Sequence, residues 1–294
     1  MSWRTVIISK QAKLDYKMGY MVVRGEETKR ILIDEISTLV VENPMVSFTG
    51  CLIEMLVAKK VKTIFCDSQH NPAAELIPQH GSHDSTAKIR SQIQWSVKAK
   101  EAIWQEIVTD KIQKQAELLE EQHRDKETKL LRAYAEQVEL FDKSNREGHA
   151  AKVYFNALFG MDFSRSKDNP INAALNYGYS IILSAFNRSI AAYGYLTQLG
   201  IFHDNMFNSF NLGCDMMEPF RPLVDRMVIE LLPEKFDKEE KHEMWKVMDQ
   251  RIRIAGSKQL VSNAINIYAK SILDALNDDD LSLMTTYQVL GREE

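Results

Sequence analysis

Leu14-Asp-Tyr-Lys-Met-Gly-Tyr-Met-Val-Val-Arg24 decides how the first part of the chain folds. Leu14, Tyr16, Met18 and Tyr20 alternate with Asp15, Lys17 and Gly19, the period of a strand with one face in a core and the other in water. Working outward, Thr5-Val-Ile-Ile8, Tyr20-Met-Val-Val-Arg24, Arg30-Ile-Leu-Ile33, Ser37-Thr-Leu-Val-Val41 and Lys62-Thr-Ile-Phe-Cys66 are short runs rich in β-branched residues. Polar turn segments such as Arg24-Gly-Glu-Glu-Thr28 and Glu42-Asn-Pro44 separate them. A single helix is predicted from Gly50 to Lys60, with Leu52, Met55 and Leu56 at helical spacing. Closely spaced strands without long crossovers predict a small β-sandwich or split barrel.

Beyond it the period changes. Residues 71–84 hold Pro72, Pro78 and Gly81, with His70, His80 and His83 in or beside the stretch, and read as a linker and loop. From Ser85 the pattern is helical almost to the end. Ile93, Val97, Ile103, Trp104, Ile107 and Val108 form one apolar stripe, and Gln113 to Arg132 reads as a heavily charged, solvated helix. Further helices are predicted at Gly148–Phe159, Pro170–Leu199, Pro222–Leu231 and Ser257–Leu276. The expected fold class is α+β: a small N-terminal β-sandwich domain over 1–75, a linker loop over 76–84 and a larger all-α domain over 85–294.

Composition narrows the function classes. The net charge is −4 and the pI near 6.0, so any binding to nucleic acid needs its positive charge gathered on one face. That argues against a simple nonspecific DNA coat and leaves room for an enzyme with a local basic groove. Cys51, Cys66 and Cys214 are widely spaced, form no CxxC pair and fit a reducing cytosol. With no apolar leader and no run of 18 apolar residues, a soluble cytoplasmic protein is expected.

Three segments carry candidate chemistry. In Leu212-Gly-Cys-Asp-Met-Met-Glu-Pro-Phe-Arg-Pro-Leu-Val-Asp225, Asp215 and Glu218 lie three apart and share a face of a helical turn. Pro219 and Pro222 place that turn at a helix entrance. Oxygen donors on a rigid element suit Mg²⁺ or Mn²⁺, but carboxylates there can also simply cap the helix. Glu147, in Asn145-Arg-Glu-Gly-His149, has the same two readings. His203, after Gly200, reads either as a cation at a helix C-terminus or as an imidazole ligand. The loop of His70, His80, His83 and Asp84 is a rival metal site, but its spacings match no zinc pattern and a polar loop is the better reading.

Taken in order, Glu147-Gly-x-Ala-Ala-x-x-Tyr-Phe155, Asn172-Ala-Ala-Leu-Asn-Tyr-Gly-Tyr179, Gly200-x-x-His203 and Asp215-x-x-Glu-Pro-Phe-Arg-Pro222 resemble the CRISPR-associated spacer integrases, the universal adaptation proteins of CRISPR systems. Ser2-Trp-Arg-Thr-Val-Ile-Ile8 and the overall length look most like the type II branch. The resemblance covers essentially the whole chain, and Phe202 departs from the Leu that many members carry, a change expected to be neutral.

The resemblance implies an N-terminal β-sandwich that forms a homodimer and a helical catalytic domain. It implies Glu147, His203 and Glu218 as catalytic metal ligands for Mg²⁺ or Mn²⁺, with Asp215 an auxiliary acid. It also implies a small ferredoxin-like CRISPR-associated partner protein, and insertion of a short DNA duplex beside a repeat by 3′-hydroxyl transesterification. Arg221, Lys152, Arg146, Arg188, Arg251, Arg253 and Lys258 are candidates for contacts to the DNA backbone, Arg221 foremost because it lies inside the acidic motif. Two other readings stand beside this one: a metal-dependent nuclease selective for branched DNA, with water as the nucleophile, and a non-enzymatic scaffold whose acids only cap helices.

Overall fold

The structure is a computed structural model that describes residues 4–68, 72–78 and 84–290. His70, His80 and His83 fall outside the described residues; Asp84 lies within them and pairs loosely with Lys88 at 3.9 Å. The fold is α+β and divides into two units, Met1–Gly81 and Ser82–Glu294.

The first unit holds two four-stranded sheets. Its strands are β1 (Arg4–Ile8), β2 (Lys13–Lys17), β3 (Tyr20–Arg24), β4 (Thr28–Leu32), β5 (Ile36–Val41), β6 (Ser47–Phe48), β7 (Lys62–Cys66) and β8 (Pro72–Leu76), with helix α1 (Gly50–Ala58) between β6 and β7. One sheet has the order β1-β5-β7-β8 and the other β4-β3-β2-β6. Val6, Ile8, Leu14, Met21, Ile36, Leu39 and Val41 from both sheets pack with Leu52 and Leu56 of α1 into one core.

Besides β8, which makes a strand of Pro72–Leu76 inside the stretch read as linker and loop, two sequence expectations need correction here. First, β1 runs parallel to β5, and β5 to β7. Parallel neighbours require crossovers; the whole β2–β4 hairpin run makes one, and α1 makes the other. Second, the alternation from Leu14 to Tyr20 is not one strand. Met18 and Gly19 both have positive φ, 48° and 85°, and turn the chain tightly between β2 and β3 as a two-residue hairpin does. Met18 is accordingly 85% exposed rather than in the core.

The second unit is mainly helical: α2 (Ser85–Ile93), α3 (Val97–Glu121), α4 (Asp125–Ala135), α5 (Arg146–Phe159), α6 (Pro170–Ala192), α7 (Asn211–Met217), α8 (Arg221–Leu231), α9 (Lys238–Met244) and α10 (Val261–Asp278). A small antiparallel sheet, absent from the all-α expectation, joins β9 (Arg251–Ile254), β10 (Ser257–Leu260) and β11 (Tyr287–Val289) in the order β10-β9-β11. Ala255 and Gly256, both at positive φ, close the β9–β10 hairpin, so the helix predicted from Ser257 begins only at Val261.

Helix α3 is the axis of this unit. Ser96 caps it by accepting from the Ala99 amide at 2.9 Å, and Ile103, Trp104, Ile107 and Val108 are buried along it. Ile93 and Val97 are exposed, because the chain breaks at 94–96 and they do not continue the stripe. Nor is 113–132 one solvated helix. His123, at φ 56°, separates α3 from α4, while Lys111, Lys114, Gln115, Leu118 and Leu119 are buried.

Asn169 caps α6 from below, accepting from the Asn172 amide at 2.8 Å. Gly194, at φ 87°, ends it through the paired bonds Gly194 N to Ala191 O and Tyr195 N to Ile190 O, a Schellman closure well short of Leu199.

Gly178 lets α6 lie against α8 and α9. A Cβ there would stand 2.3 Å from Val224 Cγ1 and 2.7 Å from Met244 Cε. Gly178→Ala should therefore lower the unfolding free energy by roughly 1–2 kcal/mol, overpacking outweighing the gain in helix propensity. Gly50→Ala, whose Cβ meets nothing within 4 Å, should show no such loss in the same urea titration.

Candidate active site

Glu147 reaches the site because another acid does its capping. Asn145 sits at φ 51° before α5 and makes no capping bond through its side chain. The buried Asp142 accepts from the Arg146 amide at 2.7 Å and the Glu147 amide at 3.0 Å. The helix entrance is satisfied, and the Glu147 carboxylate is free to turn elsewhere. Its Oε1 accepts from Lys111 Nζ of α3 at 2.5 Å.

Glu218 meets the same ammonium. It lies in a short turn, Glu218–Phe220, leading into α8, anchored by the Tyr287 hydroxyl donating to Pro219 O at 2.8 Å. Lys111 Nζ donates to Glu218 Oε2 at 2.5 Å, and Arg221 Nε donates to both carboxylate oxygens at 2.9 and 2.8 Å. Burial alone would push Glu218 up, but the Arg221 guanidinium and the Lys111 ammonium hold it at about 2. Burial pulls the Lys111 ammonium down, yet the two carboxylates more than offset it and the group lies above its usual range.

The Arg221 guanidinium is itself held, 4.6 Å above the Tyr179 ring. The Tyr179 hydroxyl bonds Asp225, whose other oxygen takes the Tyr154 hydroxyl at 2.8 Å. Burial raises the Asp225 carboxyl to about 6, against those hydroxyl bonds.

His203 comes from a loop organised by one carboxylate. Asp215 Oδ2 accepts from the Ile201 and Phe202 amides at 2.6 and 3.1 Å. Its Oδ1 accepts from the His203 amide at 3.1 Å and lies 2.5 Å from His203 Nδ1. Gly200 makes room: a Cβ there would be 2.8 Å from Asp215 Oδ2 and 2.3 Å from His203 O. The Asp215 bond raises the imidazole above its ordinary value, against burial, and the Glu218 and Glu147 carboxylates add to the rise. His203 thus lies within the electrostatic reach of both acids, and with α6 ending at Ala192 it caps no helix. Phe202, half exposed, stacks on buried Trp104 with ring centroids 4.5 Å apart.

Among the described residues, no three His, Cys, Asp or Glu side chains are gathered tightly enough to hold a metal ion as they stand. The place between the carboxylates belongs to Lys111. The donor set nonetheless suits a divalent cation. Two carboxylates already share one cation, and the Nδ1 bond to Asp215 leaves His203 Nε2 for a further partner.

The remaining basic candidates divide by location. Arg146 lies 5.4 Å over the Tyr134 ring beside Glu147, Lys152 is exposed on α5, and Arg188 is half-buried in α6. Arg253 and Lys258 are directly opposed on β9 and β10, and Arg251 is on the same face two residues along. Those three form a basic strip on the small sheet.

Sequence reasoning missed Lys111, Asp142, Tyr179 and Asp225. Lys111 had one visible signal: it continues the Ile103, Ile107 row at four-residue spacing, a charge where the stripe calls for an apolar residue.

The model of the family described as CRISPR associated protein Cas1 matches residues 5–264. The chain belongs to the Cas1 family. The CRISPR-associated endonuclease Cas1 of Neisseria meningitidis serogroup C (strain 8013) is 35% identical over 232 residues, 79% of this chain and 76% of that protein. Among solved structures, a casposase bound to integration product superposes with a TM-score of 0.79 at 16% identity, over 96% of this chain and 93% of that one. A Cas6-RT-Cas1–Cas2 complex matches with a TM-score of 0.73 at 16% identity, over 98% of this chain and 36% of the matched chain. At these identities the structural likeness establishes the fold.

For a Cas1 chain built this way, the Asp142 cap is what presents Glu147. Asp142→Ala should cost about 1–2 kcal/mol of stability through the two lost amide bonds, and Asp142→Asn clearly less. Thermal denaturation of the two variants beside wild type decides it; equal melting for all three would contradict the capping role.

Proposed function

We propose that the chain is a divalent-metal-dependent DNA integrase and endonuclease of CRISPR adaptation, inserting short duplexes beside a repeat by 3′-hydroxyl transesterification. The observation that carries the reading is the meeting of Glu147 and Glu218, from separate helix entrances, at a single cation with His203 under their field. Acids that only cap helices would not converge, and at Glu147 the capping is done by Asp142. The names of the relatives, an endonuclease and a casposase on integration product, support the same reading.

The reaction exchanges one phosphodiester for another. A DNA 3′-hydroxyl loses its proton and bonds to phosphorus, while the bond from that phosphorus to a 3′-oxygen in the repeat breaks and the oxygen takes up a proton. No energy source is needed. Bound Mg²⁺ or Mn²⁺ would supply charge neutralisation at the phosphate and activation of the attacking hydroxyl. Glu147, Glu218 and His203 Nε2 would hold it. Asp215 sets the imidazole tautomer with Nδ1–H toward itself. Arg221, steadied by Tyr179, fixes Glu218 and brings positive charge next to the scissile phosphate. The basic strip of Arg251, Arg253 and Lys258, with Lys152, Arg146 and Arg188, would follow the DNA backbone.

The partners in this reading are the spacer duplex and repeat DNA, a second copy of the chain joined through residues 1–75, and a Cas2-type ferredoxin-like protein, in a prokaryotic cytoplasm. Light scattering of the purified protein should then give about twice 33.8 kDa; a monomer at micromolar concentration would count against the dimer.

Burial of Glu218 beside two cations makes its removal costly to the fold, so the neutral isostere is the cleaner variant. Glu218→Gln and His203→Ala should each lower strand joining at least about a hundredfold. DNA affinity measured at fixed salt without divalent metal should stay within about threefold, since phosphate contacts dominate it. Arg221→Lys should lose less. The assay pairs a short duplex with a supercoiled repeat plasmid across a Mn²⁺ titration. Joining at the wild-type rate by both variants would sink the mechanism; cutting without joining by the wild type would favour the branched-DNA nuclease.

A further inference from the structure

Lys111 is a third-party cation in this site. Its side chain is 9% exposed, and it donates to Glu147 and Glu218 at 2.5 Å each, so the two accepting oxygens cannot stand more than twice that distance apart. Two carboxylates that near each other repel unless a cation lies between them. Glu218 also has Arg221; among the described residues the Glu147 carboxylate has Lys111 as its hydrogen-bond partner and no second cation. A divalent cation binding the same oxygens would stand at about 2.0–2.4 Å from them. It cannot share that place with an ammonium, and the added like charge repels the lysine.

We propose that Lys111 is the built-in occupant of the metal position: its ammonium holds Glu147 and Glu218 together until a divalent cation displaces it, so metal loading and departure of the lysine are one event. The inference rests on the metal-dependent reading above. Lys111 is then a positioning residue and a competitor, not a ligand. The long flexible stem of lysine allows the departure without moving α3. DNA phosphates near the site would give the displaced ammonium a new anionic partner, so DNA and metal should each tighten the binding of the other.

The test is Mn²⁺ binding to the full-length protein, followed by the electron paramagnetic resonance signal of free Mn²⁺, with no turnover. Glu218→Gln serves to subtract sites elsewhere. Lys111→Gln should bind Mn²⁺ at least about tenfold more tightly than wild type. Lys111→Arg, which keeps the charge, should stay within about threefold of wild type. Without metal, Lys111→Gln should melt below wild type, and saturating Mn²⁺ should raise its Tm by more.

Equal or weaker Mn²⁺ binding by Lys111→Gln, with a Glu218-dependent site present in wild type, overturns the proposal alone. Absence of any Glu218-dependent site in all the proteins overturns the metal reading and the proposal with it. A second arm needs no Lys111 variant: a short duplex should tighten Glu218-dependent Mn²⁺ binding by wild type several-fold, and unchanged affinity would overturn the proposal.

Discussion

Three helices of the second unit meet at one ammonium. Lys111 comes from the middle of α3, Glu147 from the first turn of α5, and Glu218 from the turn that opens α8. Burying one carboxylate beside another is costly, and burying a lone lysine more so; each is tolerable only because the others are present. That mutual dependence fixes how the entrances of α5 and α8 face the side of α3. It also explains why Arg221 doubles its bond to Glu218 and stacks on Tyr179. The region is a charge-balanced cluster, Lys111 and Arg221 against Glu147 and Glu218.

Asp215 does for the His203 loop what Lys111 does for the helices. One fully buried carboxylate collects three successive backbone amides and an imidazole nitrogen. The loop is thereby given a single shape, and the imidazole is presented with its other nitrogen unengaged by Asp215. Gly200 is required for that approach, so the spacing from Gly200 to His203 and on to Asp215 is a geometric statement about one carboxylate and the backbone it reaches.

Much of this was legible in the residues. The β-branched runs before residue 70 and the helical period after 85 separate the two units. The order of Glu147, His203, Asp215 and Glu218 points to the family. What escaped reading was long-range or depended on a turn. Met18-Gly19 interrupts an alternation that looks continuous, and Ala255-Gly256 makes a hairpin inside a helical context; both turn on positive φ, which period counting does not register. Lys111 lies between the apolar stripe and the charged stretch 113–132 and drew no reading, because a charged residue in a helix ordinarily is solvated. Its burial depends on acids 36 and 107 positions away. Asp142 was hidden for a related reason: the acid weighed as a possible cap was Glu147, whose own amide is one of the two that Asp142 caps.

The central claim is that Glu147, Glu218 and His203 Nε2 surround one divalent cation, and anomalous diffraction from crystals grown with Mn²⁺ tests it most directly. The account predicts a single strong peak within about 2.0–2.4 Å of a Glu147 oxygen, a Glu218 oxygen and His203 Nε2, with the Lys111 ammonium withdrawn from between the carboxylates. A fully loaded crystal with its peak elsewhere, and Lys111 still bonded to both acids, would contradict it.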